Sequence, residues 1–293
     1  MLRRFLRRGL QGVAGAMGLD DIAREVKKIR EICTQIQYQV TVAPDGLPLP
    51  PPELHYLVSG NSDLGPFDFL EIGENCAKCI TTALNEHNLD FSDFQAVLDF
   101  GCGCGRVIRH FHSLKANLYG VDYNAKLIDW CKRNLPFAKF EVNQLQPPLA
   151  FSDDMFDLIY AFSVFTHLRE SDQVVWLAEL SRILKPGGYL LMTTQGKAYA
   201  EAYLPLLEKE QFRAGRLVVL NPTSYGENKC SALHPPEYVK ETLTKGLDVL
   251  DFHPGAVVDA GRRIIAQDSY FLRKPLSKVK TCLENGQRTE MPA

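Results

Sequence analysis

From residue 96 onward, short runs of Val, Leu, Ile and Phe alternate with stretches in which apolar residues recur every three to four positions. The runs predict β-strands, and the longer stretches predict helices that connect them. This alternation is typical of a parallel sheet with helices on both faces. We predict strands at 96–100, 117–121, 139–142, 156–161, 189–193, 247–252 and 269–273, and helices at 106–114, 125–134, 171–184 and 236–245.

The first 43 residues follow a different pattern, and we predict that they form a helical extension. Between residues 19 and 40, apolar side chains recur at alternating steps of three and four, which predicts one helix. This seam suits either a coiled coil with a second copy of the chain, giving a homodimer, or packing against the main domain. The seam consists of Leu19, Ile22, Val26, Ile29, Cys33, Ile36 and Val40.

Residues 1–19 combine four arginines with apolar side chains that fall on the opposite side of a helical wheel. This pattern is typical of a basic helix that lies on an anionic membrane surface. A solvated, frayed terminus is the alternative. We therefore expect a cytoplasmic protein, with peripheral membrane contact through residues 1–19 in the first case.

Proline-rich and turn-rich segments divide the remaining chain. Residues 44–60 are dense in proline, which predicts a stiff linker. A polar, turn-rich insertion follows the fifth predicted strand and is longer than a simple connection, so we predict that it is a substrate lid. The resulting organisation is a main domain at 61–275 with a helix at about 66–85, a core at 96–194, the lid at about 195–235 and a polar tail at 276–293.

Charge and cysteine content exclude several classes of protein. The 33 basic and 35 acidic residues give a net charge of -2, so the chain carries no strong signal for nucleic-acid binding. Eight cysteines in a chain that is 45% hydrophobic predict reduced thiols rather than a disulfide framework. Cys76 and Cys79 have the spacing of half a zinc site, but no second pair completes it, and we predict no metal centre.

The candidate chemistry begins where the first predicted strand ends. Gly101, Gly103 and Gly105 follow this strand directly, and a turn of this composition lets the backbone approach a ligand at the carboxyl edge of a sheet. Asp122 lies at the end of the next strand, where a carboxylate can accept hydrogen bonds from the two hydroxyls of a ribose. Arg106 occupies the position of the third glycine of a dinucleotide fingerprint, which disfavours NAD.

These features, together with the segments at 151–160 and 179–191, resemble the class I methyltransferases that use S-adenosylmethionine. The resemblance runs from about residue 96 to 194. It implies a doubly wound, Rossmann-like α/β fold with a seven-stranded sheet, mostly parallel with its last strand antiparallel. It also implies a transferase whose cofactor is S-adenosyl-L-methionine.

The resemblance assigns cofactor contacts residue by residue. The acid on the first strand and the three glycines would surround the methionine portion, the acid on the second strand would hold the ribose, and the residue after it would pack near the adenine. Two residues after the third strand would contact the adenine edge. In this order the residues are Asp99, Gly101, Gly103, Gly105, Asp122, Tyr123, Asn143 and Gln144.

A hydroxyl acceptor needs a general base, and two histidines are candidates. His167 follows the fourth strand, and His234 precedes a helix that begins with proline; each also suits a structural role at a helix start. Within the lid, Gln195, Tyr225 and Asn228 are candidate contacts for the acceptor, although each is equally compatible with a connecting loop.

We therefore expect methyl transfer by in-line displacement to a small molecule, a sugar or a lipid-linked glycan hydroxyl. A weaker resemblance at 47–54 and 267–275 to bacterial glycan and glycolipid methyltransferases favours the glycan acceptor. Two alternatives remain, an NAD-dependent oxidoreductase and a non-catalytic partner protein that works through its N-terminal helix. The sequence leaves the acceptor and the choice between oxygen and nitrogen open.

Overall fold

A computed structural model describes residues 41–61, 64–259 and 263–276, together with 21, 22, 24–26, 28, 29 and 32. These last eight residues are helical, as predicted, and the seam side chains Ile22, Val26 and Ile29 are exposed. The basic segment 1–19, the rest of the helix predicted at 19–40 and the tail from 277 onward lie outside the described residues. Among those that are described, no helix is long and apolar enough to span a membrane.

From residue 41 onward, the described residues form seven α-helices and eleven strands, besides short 3-10 helices. The helices are α1 (Pro52–Ser59), α2 (Pro66–Glu86), α3 (Ala125–Asn134), α4 (Glu170–Ile183), α5 (Lys197–Tyr203), α6 (Leu206–Arg213) and α7 (Pro236–Tyr238), which continues as a π-helix at Val239–Leu243. The strands are β1 (Ala96–Phe100), β2 (Asn117–Asp122), β3 (Ala138–Val142), β4 (Phe156–Ala161), β5 (Leu184–Thr194), β6 (Val218–Leu220), β7 (Ser231–Leu233), β8 (Asp248–His253), β9 (Val257–Asp259), β10 (Arg263–Ile265) and β11 (Asp268–Arg273).

Seven of the strands form one sheet in the order β3-β2-β1-β4-β5-β11-β8. The pairs from β3 to β5 are parallel, and β11 runs antiparallel to both β5 and β8. This confirms the predicted Rossmann-like fold, including its antiparallel last strand. Because strand order reverses beside β1, the carboxyl ends of β1 and β4 flank the position where open α/β sheets bind ligands.

Both faces of the sheet are buried, which explains the continuous apolar runs of its central strands. On one face, Ile80 of α2 and Ile128 of α3 pack in a core with Leu158. On the other face, Trp176 of α4 packs against Phe100, with ring centroids 4.8 Å apart. The helices predicted at 125–134 and 171–184 therefore cover opposite faces.

The prediction of a helix at 106–114 is wrong, because this segment forms only a 3-10 helix at Ile108–Phe111. The left-handed conformation of Gly103 and Gly105 delays the helical backbone, so few residues remain before β2 begins. Arg109, fully buried within this short helix, donates hydrogen bonds to both carboxylate oxygens of Asp45 at 2.8 and 3.0 Å. This pair anchors the proline-rich segment to the domain.

Within the segment 44–60, predicted as a stiff linker, residues 52–59 form α1. Proline at the first position of a helix costs little, because the missing N–H has no partner there in any case. Gly60, with φ 65°, ends this helix. The insertion after β5 forms α5, α6 and the antiparallel pair of β6 and β7.

Candidate active site

The glycine turn after β1 lies against the end of β2. Gly101, Gly103 and Gly105 have φ values of 76°, 56° and 76°, which other residues rarely adopt. The N–H groups of Gly101 and Cys102 both donate to the carbonyl of Val121, at 2.8 and 2.9 Å. The turn is thus fixed to the neighbouring strand by its backbone.

Asp122 joins the end of β2 to this turn. Its Oδ2 accepts a hydrogen bond from the N–H of Gly103 at 3.0 Å, and its Oδ1 accepts one from the N–H of Asn124 at 2.8 Å. The carboxyl is buried, and this burial raises its pKa. Each oxygen keeps a further lone pair, so the group still has acceptor sites for the ribose hydroxyls of S-adenosylmethionine.

Asp99 and Arg106 leave polar atoms without partners beside the same turn. Asp99 Oδ2 is buried without a hydrogen bond, although the Tyr160 hydroxyl lies nearby, and Arg106 Nε also has no partner. Burial raises the pKa of Asp99 to about 8. The Asp99 oxygen can accept a hydrogen bond from the ammonium group of the cofactor's methionine portion, and the Arg106 guanidinium can donate to its carboxylate. These two residues therefore fit S-adenosylmethionine.

The remaining predicted cofactor contacts lie around Asp122. The backbone N–H of Asn143 donates to the carbonyl of Asp122 at 3.1 Å, and the side chain of Asn143 donates to the carbonyl of Gln144. Gln144 is exposed. Burial, together with the nearby carboxylates of Asp122 and Glu227, raises the pKa of Tyr123, which is partly exposed. Gly105 faces inward, where an added Cβ would lie 2.4 Å from Leu135.

Two segments cover the glycine turn. Val58 of α1 lies directly over Gly103, since a Cβ there would come within 2.9 Å of its methyl group. The loop 221–230 reaches α1 through Asn228, whose amide donates to the carbonyl of Leu57 at 3.1 Å. A cavity of about 480 Å³ lies beside α1, lined in part by His55 and by Lys126 of α3. The predicted cofactor contacts are not among its lining residues.

His167 lies at the carboxyl end of β4, where the sequence places it. Its Nδ1 is 2.8 Å from the carbonyl oxygen of Cys230, which can only accept. Nδ1 therefore carries the proton in the neutral ring, and Nε2 carries the lone pair. Burial lowers the pKa of His167, while the hydrogen bond to Cys230 acts in the opposite direction. The ring is thus a neutral base near pH 7.

His234 has surroundings that do not suit a base for an external acceptor. Its side chain is fully buried, and burial lowers its pKa to about 3. Nε2 lies 3.1 Å from Oε1 of Gln173, whose amide nitrogen donates to the carbonyl of Leu168. In this conformation His234 joins β7 to α4, which fits the structural role at a helix start that the sequence also allowed.

The three predicted acceptor residues are held by different partners. Tyr225 lies under the guanidinium of Arg169, which is 3.7 Å from its ring centroid. Gln195 accepts a hydrogen bond from the Ser231 hydroxyl at 2.6 Å, and Asn228 bonds to α1. The loop is also tied to His167, whose carbonyl accepts from the N–H of Gly226 at 2.7 Å. The insertion thus lies across the strand ends, as a lid would.

A polar network beside His167 was missed by the sequence analysis. The backbone N–H of Ser163 donates to Oγ1 of Thr193, this hydroxyl donates to Oε1 of Gln267, and Nε2 of Gln267 donates to the Ser163 hydroxyl, at 2.9, 2.6 and 2.6 Å. Ser163 has φ 61°, an unfavourable conformation for serine that is found mainly at functional positions. The left-handed serine, lying just beyond a strand end, gives no recognisable sequence pattern.

Comparisons with known proteins agree with this geometry. Residues 98–192 match the family model for a methyltransferase domain. An uncharacterised methyltransferase from Synechocystis is 31% identical over 101 residues, which cover 34% of this chain and 47% of that protein. A ubiquinone biosynthesis O-methyltransferase from a Bradyrhizobium species is 26% identical over 136 residues, which cover 46% and 53% of the two chains.

The matched segments thus span about half the length of these two relatives. Among solved structures, a glycopeptide N-methyltransferase complexed with sinefungin gives a TM-score of 0.49 at 19% identity, covering 69% of this chain and 87% of that one. The family match contains β1, the glycine turn, Asp122 and the segments up to β5. Residues 98–192 of this chain are therefore a class I, S-adenosylmethionine-dependent methyltransferase domain.

Proposed function

We propose that the protein transfers a methyl group from S-adenosylmethionine to a hydroxyl of a small molecule, a sugar or a lipid-linked glycan. The observation that carries this proposal is the hydrogen bond between His167 Nδ1 and the Cys230 carbonyl. When bound, the cofactor supplies a methyl group on a sulfonium that departs as a neutral thioether. The donor side therefore needs no acid, and the base is needed by the acceptor.

Oxygen acceptors are favoured by the state of His167. A hydroxyl becomes a good nucleophile only as its proton is removed, and a neutral imidazole with a free Nε2 can take that proton. Because Nδ1 is held by a carbonyl, the ring keeps its orientation before and after the transfer. An amine that is already neutral would not require such a base.

The polar network supports an acceptor with several hydroxyl groups. Ser163, Thr193 and Gln267 supply hydroxyl and amide groups at the carboxyl ends of β4 and β5, the same edge that carries His167. Groups of this type can both donate to and accept from a polyol. The lid over this edge would exclude water, which matters because water competes with the acceptor for activation.

The first experiment is incubation of the purified chain with methyl-labelled S-adenosylmethionine and a cell extract, followed by separation into lipid, aqueous, protein and RNA fractions. Alkali treatment of the labelled product then distinguishes methyl esters, which are cleaved, from ethers and methylamines, which are not, and mass spectrometry separates the last two. Label on an ether oxygen in the aqueous or lipid fraction is the expected result. Label on nitrogen, or label only in protein or RNA, would contradict the proposed acceptor. In the variant His167→Gln, formation of the labelled ether should be lost.

A further inference from the structure

The far edge of the sheet holds a group of side chains that the methyl-transfer site does not use. Within the described residues, Glu86 at the end of α2 and Asp251 and His253 on β8 bring one ligand atom each to within 4.8 Å of one another. His87, the next residue after α2, adds a second imidazole beside them. Zinc accepts imidazole and carboxylate ligands in one site, whereas magnesium and calcium prefer oxygen alone.

The distances within this group match those between ligands of one ion. His253 Nε2 lies 3.3 Å from Glu86 Oε2 and 3.2 Å from Asp251 Oδ2. Four ligands at the usual zinc distances stand about 3.3 Å from one another at the corners of a tetrahedron. His87 Nε2 lies 3.9 Å from Asp251 Oδ2, and it has no hydrogen-bond partner. His253 Nε2 thus lies at the distance between two ligands of one ion from both carboxylates, with a second imidazole nitrogen nearby.

The charges of the group also favour a cation. Among the described residues, neither Glu86 nor Asp251 forms an ion pair with a lysine or arginine; the histidines are their partners. When both imidazoles are neutral, the two carboxylates give this group a net negative charge. The His253 side chain is 53% exposed, so an ion can enter from solvent.

We propose that Glu86, Asp251 and His253, with His87 as the fourth ligand, bind a zinc ion that joins the end of α2 to the edge strand β8. Gly73, which contacts the carbonyl of Arg106 beside the glycine turn, lies 13 residues before Glu86 on α2. That spacing corresponds to about 20 Å along a helix. The ion is therefore structural, remote from methyl transfer, and it covers part of an otherwise open sheet edge.

The test is calorimetric titration of the chelator-treated full chain with zinc chloride, alongside His253→Ala, Glu86→Gln and the control His112→Ala, which changes an exposed histidine elsewhere. Wild type and control should bind one zinc ion with a rise in Tm, while both ligand variants should bind at least tenfold more weakly. Cobalt should give the strong visible absorption of a tetrahedral site in the wild type and in the control, but not in the two ligand variants.

Two results would overturn the proposal. The first is no saturable zinc binding to the wild type. The second is unchanged affinity in His253→Ala, which would place the ion at other ligands such as the thiols. The substituted side chains are 53% (His253) and 44% (Glu86) exposed, and circular dichroism of each variant verifies that it is folded.

Discussion

The strand edge that carries the site has two halves that are built differently. In the cofactor half, at the ends of β1 and β2, the backbone N–H groups of Gly101 and Cys102 donate to the carbonyl of Val121, and the N–H of Gly103 donates to the carboxylate of Asp122, 19 residues away. In the acceptor half, at the ends of β4 and β5, side chains meet partners 63 residues away for His167 and 104 residues away for Ser163. Backbone contacts within one βαβ unit depend little on the surrounding side chains. We therefore expect that substitutions in the second half leave the cofactor half intact.

The largest expected effect is the loss of the base in the acceptor half. His167→Gln removes the lone pair of Nε2, so kcat should fall by about 10²- to 10⁴-fold. Cofactor affinity should stay unchanged, because the cofactor half does not contain this side chain. Initial rates with labelled S-adenosylmethionine and calorimetric binding measure the two quantities separately.

The matched control is His112→Gln, which changes an exposed histidine and should keep normal turnover. Turnover close to wild type in His167→Gln would remove this residue from the mechanism. A parallel loss of cofactor affinity would instead show that the two halves are not separable.

Asp99 offers a pH test of the cofactor half without substrate. Burial raises its pKa from the usual 3.8 to about 8 in the folded chain. Between these pH values the folded state holds a proton that the unfolded state releases, so this group makes stability fall as pH rises from about 4 to 8. The unfolding free energy of the wild type should fall between pH 5 and pH 8. In Asp99→Asn this fall should be smaller than in the wild type by a few kcal/mol.

Urea unfolding at the two pH values measures this difference. Asp129→Asn, which changes an exposed carboxylate on α3, should keep the pH dependence of the wild type. If Asp99→Asn keeps it too, then Asp99 is ionised in the folded chain at neutral pH.

Asp122→Asn should weaken S-adenosylmethionine binding by about tenfold to a hundredfold. The amide keeps the size of the carboxyl but loses a charged acceptor, and hydrogen bonds to charged groups contribute about 1.5–3 kcal/mol. Calorimetry of the purified variant measures the change, and circular dichroism checks that the turn still folds. Equal affinity in Asp122→Asn and in Asp129→Asn would mean that the ribose lies elsewhere.

The same difference between the halves limits what the sequence could predict. The strands were found because burial on both faces produces apolar runs, and the glycine turn was found because positive φ requires glycine. The network of Ser163 and Gln267 was missed because it forms only after β11 pairs with β5. The complete burial of His234 was also not predicted, because a single histidine before a proline gives no periodic pattern.

The loop 221–230 joins the two halves through Leu57 and His167, and loosening it should have the smallest effect. Asn228→Ala removes one exposed hydrogen bond to the carbonyl of Leu57, a contact worth about 0.5–1.5 kcal/mol. Because this bond helps to hold α1 and Val58 over Gly103, the KM for S-adenosylmethionine should rise about two- to fivefold while kcat stays within a factor of two. Steady-state kinetics against Lys229→Ala, which changes an exposed side chain of the same loop, isolates the contact. A fall in kcat with unchanged KM would instead mean that the loop acts on the acceptor half alone. In that case α1 covers the cofactor half without a contribution from the loop.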